Sequence, residues 1–128
     1  MCTDIRNGIL RLSEDLILSP EYTFEDFKKT SYYKCQDGIR VITLDDRYNI
    51  DGNAFLVSLV FVDGRLDNVS LVCTDEEFAW DTEPKRKIFH DRILNDWGLS
   101  GENLFDWGNI SSVFDAKSCV SSIVIRYR

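Results

Sequence analysis

The residues of this chain whose types could support chemistry are few and far apart. His90 is the single histidine, next to Asp91 in a stretch with helical periodicity. An imidazole beside a carboxylate is half of a general-base arrangement, but adjacent helix positions do not face one another and no nucleophile stands at a useful spacing. The sequence therefore gives His90 a partly exposed, unreactive place. Glu102 and Asp106 flank Phe105 and could form a glycosidase couple, but the sequence does not supply the separation that chemistry needs and a solvated polar loop accounts for them better. Cys2, Cys35, Cys73 and Cys119 contain no C-x-x-C pair, so the ligand spacing of a zinc site is missing. Arg47 to Gly52 has the glycine turn of a calcium loop, but Arg47 and Ser58 fall where the first and last carboxylates should be. No catalytic, metal-binding or cofactor-binding residue is assigned, and the protein is expected to hold no metal or organic cofactor.

One cluster is of another kind. Asp75, Glu76, Glu77, Asp81 and Glu83 surround Phe78 and Trp80, and no basic residue follows until Lys85. Fold stability gives no reason for so self-repelling a segment. Trp80 in an acidic rim has the composition of an interface anchor, and these seven residues are the candidate partner-binding site. The chain as a whole has 22 acidic and 15 basic side chains, a formal net charge of −7. A phosphate backbone or an anionic membrane surface is a poor match for that balance, whereas a basic protein suits it. The N-terminus lacks the apolar run of a secretory signal, and no apolar segment reaches the length of a membrane span. These features predict a cytoplasmic protein, monomeric or weakly dimeric, with Cys73 and Cys119 as reduced, buried thiols. Asn68 and Asn109 head glycosylation-like triplets but lie in predicted strands of a chain without a signal.

The elements that must position these residues centre on Ala54 to Cys73, two β-branched runs around Asp63-Gly64. Asp-Gly suits a type I′ hairpin turn, which needs positive φ at both central residues. With Val62 opposite Arg65, the expected register puts Phe55, Val57, Leu59 and Phe61 on one face with Leu66, Asn68, Ser70 and Val72. Upstream, Ile9–Leu12 and Leu16–Leu18 read as a small hairpin or one irregular strand. Thr23 begins a short helix, with Asp26 completing a near capping box. Ser31–Cys35, Gly38–Leu44 and Tyr48–Ile50 read as strands. Downstream, Thr82-Glu83-Pro84 opens a helix running to about Trp97. Ile88, Phe89, Ile93, Leu94 and Trp97 are expected to form its apolar stripe, and Lys85, Arg86, Asp91, Asn95 and Asp96 its wet face. Leu99–Gly108 reads as an irregular connection. Ile110–Phe114 and Cys119–Tyr127 close the chain as strands, and Leu59, Phe61, Ile93, Trp97, Ile123 and Ile125 should be buried together where helix meets sheet.

The closing segment, Trp107-Gly108-Asn109-Ile110-Ser111-Ser112-Val113-Phe114-Asp115 followed by Ser121-Ser122-Ile123-Val124-Ile125-Arg126-Tyr127, resembles the final hairpin of small bacterial proteins encoded beside toxins. Phe61 to Leu66 suits their central hairpin, and His90-Asp91 with Trp97-Gly98 the helix after it. The whole is similar in style to the immunity proteins of contact-dependent and other polymorphic toxin systems. That resemblance covers about half the chain and carries over no catalytic position. It implies a non-enzymatic protein that neutralises a basic toxin domain, such as a nuclease, by binding it. A structural module pairing through a sheet edge and a small enzyme of another chemistry are the alternatives. The fold expected is one α+β domain over residues 1–128: a twisted, mainly antiparallel sheet with one long and one short helix packed on it.

Overall fold

The computed structural model describes residues 5–36, 38–50, 52–75, 82–115, 117 and 120–127. After a 3-10 turn at Ile5–Asn7, strands β1 (Leu10–Arg11) and β2 (Ile17–Leu18) pair as a small hairpin, and the short helix α1 spans Phe24–Lys28. The main sheet is built from β3 (Val41–Ile50), β4 (Asn53–Val62), β5 (Arg65–Cys73), β6 (Glu102–Phe105), β7 (Gly108–Asp115) and β8 (Val120–Tyr127). Its order is β3-β4-β5-β8-β7-β6, antiparallel throughout, and the long helix α2 (Pro84–Asp96) joins β5 to β6. The architecture is the expected α+β arrangement.

The β4–β5 hairpin turns as its sequence requires: Asp63 and Gly64 both have positive φ, and Val62 lies opposite Arg65. Beyond the turn the expected register fails by one residue. Phe61 pairs with Leu66 but Val60 pairs with Asn68, so Asp67 is the extra residue of a bulge. That slip turns Val69, Leu71 and Cys73, rather than Asn68, Ser70 and Val72, onto the face of Phe55, Val57 and Leu59. All six are fully buried. The bulge thus reconciles the turn chemistry with an apolar inner face.

Among the described residues, both helices cover that inner face. Thr23 and Asp26 form a full capping box on α1, and backbone bonds from Phe24 N–H to Gly64 O (2.8 Å) and Leu66 N–H to Tyr22 O (3.0 Å) tie α1 to the hairpin tip. There Phe24, Phe27 and Tyr22 pack around Phe61. Helix α2 packs across β7 and β8, with Ile93 and Leu94 buried and Trp97 against Phe55. Ile93, Leu59, Ile123 and Ile125 are buried as expected, whereas Phe61 belongs to the aromatic group under α1 and Trp97 stays half-buried.

Four other expectations are corrected. Ser31–Cys35 forms turns and bends, because Tyr32 and Tyr33 lie down on Tyr48 and on Phe24 and Phe27 instead of alternating across a sheet. The two runs up to Ile50 are one strand, broken in register between Thr43 and Arg47. Leu99–Gly108 is not irregular: Glu102–Phe105 pairs with β7, and Leu99 is buried. On α2, Ile88 is 61% exposed while Arg86 is buried, the reverse of the expected stripe. The reason is that Arg86 and His90 find polar partners at the end of the sheet, as described next.

Candidate functional site

Of the acidic candidates, Glu76, Glu77, Phe78, Trp80 and Asp81 lie outside the described residues, and the structure places the two ends of the segment. Asp75 is exposed at the end of β5, where its carboxylate accepts hydrogen bonds from Ala54 N–H (3.2 Å) and the Cys73 thiol (3.6 Å). Glu83, half-buried at the start of α2, is ion-paired to Arg86 Nε (2.8 Å) with both side chains about nine-tenths covered, and its carbonyl accepts the Ser121 hydroxyl (3.2 Å). Glu83 therefore has an internal electrostatic role. Its partner Arg86 also donates to the Cys73 carbonyl, and His90 Nε2 accepts the Cys73 N–H at 3.0 Å. Helix α2 is thus fastened to the last residue of β5 by two side chains one turn apart.

This cluster holds a thiol, an imidazole and a carboxylate, but it is not arranged for nucleophilic catalysis. The His90 ring is engaged with the backbone of Cys73, not its thiol, so its proton sits on Nδ1. Burial, reinforced by the Arg86 charge and opposed by Asp91, pushes the His90 pKa down to about 4. Burial likewise raises the Cys73 thiol, away from the thiolate that an attacking cysteine needs. The expectation of a partly exposed histidine is corrected: His90 is fully buried, and its Nδ1 has no hydrogen-bond partner among the described residues.

That burial makes stability depend on pH. The unfolded chain protonates His90 near pH 6.5 and the folded chain only near 4, so the unfolded state binds more protons between those values. Stability should fall as pH drops through that window, by about 2 kcal/mol between pH 7.5 and 5. Urea melts of wild type and His90→Gln check this: the variant should lose most of the slope, and an equal slope in both would assign it to other groups.

A cavity of about 290 Å³ lies between the 31–36 segment and β3, lined by Ser31, Tyr32, Lys34, Asp45, Asp46 and Tyr48 among others. Lys34 is hydrogen-bonded to Asp45, which raises its pKa, and burial raises that of Tyr48. Both shifts run away from neutrality, opposite to the tuning of a general base. Glu102 and Asp106 are exposed, and among the described residues no three His, Cys, Asp or Glu side chains converge to hold a metal. No described helix is long and apolar enough to cross a membrane. The sheet edges are also poorly suited to pairing with another chain. Strand β3 is bulged and carries Asp45, Asp46 and Arg47, while β6 has only four residues.

No family model matches the chain, and neither does any curated protein. A solved structure does. The chain is similar to a chain of the complex of Rhs1-CT with its cognate immunity protein RhsI1, with a TM-score of 0.59 and 16% identity over 98% of this chain and 86% of that one. The fold is shared nearly end to end, with few residues in common.

Sequence reasoning passed over one surface feature. Among the described residues nothing packs on the outer face of the sheet, yet Val41, Leu104, Val113 and Val120 stand exposed on it. The signal was available in β4, where Leu56, Val60 and Val62 hold the parity opposite to the core residues; a one-sided sheet normally alternates apolar with polar.

Proposed function

We propose that this chain is an immunity protein: a non-enzymatic, cytoplasmic binding protein that neutralises a toxin domain by occupying its active site or target-binding surface. The observation that carries the reading is the fold shared, over almost the whole chain, with a structure of an immunity protein bound to its cognate partner. The side-chain chemistry is in keeping with it, since the cysteine, histidine, lysine and tyrosine candidates are all shifted away from reactivity. The charge of −7 suits a basic toxin, of which a nuclease is the natural example, because complementary charge speeds encounter and selects the partner. In this proposal Asp75, Glu76, Glu77, Phe78, Trp80 and Asp81 form part of the contact, with Glu83 anchoring their C-terminal end to Arg86.

The test is co-expression, in a susceptible bacterium, with a toxin domain taken from a gene neighbouring this one. Cells carrying both should grow as well as cells carrying neither, while the toxin alone kills; killing undiminished by a well-expressed chain would contradict the proposal. Kinetics then locate the acidic contact. Glu76→Lys with Glu77→Lys should slow association about tenfold at low salt and less at high salt, whereas Trp80→Ala should mainly speed dissociation. Unchanged rates in both variants would move the contact elsewhere.

A further inference from the structure

The outer face of the six-stranded sheet has a composition that water alone does not explain. On β4, β5 and β8 its central positions are Leu56, Val60, Val72 and Val124, half-buried, alternating with Ser58, Ser70 and Asn68. Of the exposed large apolar side chains, Ile17 and Ile88 lie elsewhere; the others are Val41, Leu104, Val113 and Val120 on this face and Ile39 at its end. Full charges on the face include Arg47 and Arg126, with Arg65, Glu102 and Asp115 at its margins. Apolar and hydroxyl side chains at the centre with charges at the rim is the anatomy of a protein interface core. At the hairpin tip, a cavity of about 380 Å³ is lined by the inner-side Phe24 and Phe61 together with Ile39 and Val62. An aliphatic or aromatic anchor from a partner would fit there.

We infer that this outer face, from Val41 across Val60 and Val124 to Val113, is the principal surface by which the protein holds its toxin domain. The inference rests on the immunity reading above and adds where the contact lies. Two physical arguments select that occupant. From strand spacing and rise the face covers roughly 600 Å² in projection, most of the roughly 800 Å² that each partner contributes to a standard-size complex. The second argument is charge. Packing two such faces together would bring two chains of −7 each into contact, whereas a basic partner is attracted by the same field.

The test uses the full chain and a toxin domain taken from a neighbouring gene and shown to be neutralised by wild type. Val41→Lys combined with Val113→Lys changes two positions that are already exposed, 53% and 38%, so the fold should stand, as circular dichroism and the melting temperature would show. Ile88→Lys, on the far side of α2, is the control. The double variant should bind at least about 100-fold more weakly than wild type, with Ile88→Lys within about threefold. Wild-type affinity in a folded double variant would overturn the inference while leaving the immunity reading intact. Failure of wild type itself to bind would overturn both. A dimer of wild type in light scattering that the double variant dissolves would give the face to a second copy and overturn the inference.

Discussion

Gly108→Ala is expected to lower stability by about 3–5 kcal/mol, with a drop in melting temperature of about 10–20 °C. Gly108 closes the turn from β6 into β7 with φ +157°, a conformation that side-chain-bearing residues rarely adopt, and it sits opposite Tyr127 in the central β7–β8 pairing. A Cβ there would lie 1.9 Å from the Arg126 carbonyl oxygen, with further backbone atoms of Arg126 and Tyr127 at 3.0 and 3.1 Å. Nothing flexible can yield at that point, so β7 and β8 must separate. The matched control is Gly64→Ala in the β4–β5 turn, where φ is also positive but nothing lies within 4 Å. That change should cost only the left-handed strain, about 1–2 kcal/mol. Similar losses in the two variants would show that backbone conformation, not the close approach of strands, fixes glycine at 108.

Arg86→Met is expected to cost a further large amount, about 3–5 kcal/mol, for a different reason. The methionine keeps most of the apolar stem but leaves the covered Glu83 carboxylate without its cation and the Cys73 carbonyl without its donor, and an uncompensated buried charge is the expensive outcome. The double change Arg86→Met with Glu83→Leu should recover most of the loss, since removing both members of a buried pair is often close to neutral. Because the Arg86 charge also holds the folded His90 pKa down, the acid-induced loss of stability in Arg86→Met should begin at the same pH as in wild type, set by the unfolded chain, but level off at a higher pH and be smaller in total. A loss within about 0.5 kcal/mol for Arg86→Met would mean the pair behaves as a surface pair.

These two sites mark the boundary of what the sequence made legible. Elements whose local signals agree could be read directly. Asp63-Gly64 set the central hairpin, Thr23 and Asp26 set the capping box of α1, and Ser121, Ile123, Ile125 and Tyr127 set the inner face of β8. What escaped was set by long-range contacts. The bulge at Asp67 has no local signature; it is forced by the need to bring Val69, Leu71 and Cys73 inward. Arg86 and His90 read as wet because charge is the local signal, and their burial depends on the free N–H and C=O of Cys73 at the end of β5. Glu102–Phe105 is too short and too polar to announce a strand before β7 is there to pair with it. On the surface, charge drew the eye to Asp75–Glu83, while the apolar outer sheet face was hidden in an alternation that is apolar at both parities.

Calorimetric titration of the purified chain with the proposed partner, a toxin domain taken from a neighbouring gene, bears most directly on the central claim. A saturable complex with one chain per toxin domain, a Kd at or below about 10⁻⁷ M, as for other specific complexes of standard size, and loss of toxin activity in step with occupancy is the expected result. No binding heat at either of two temperatures, with toxin activity unchanged at a tenfold excess of folded chain, would contradict it.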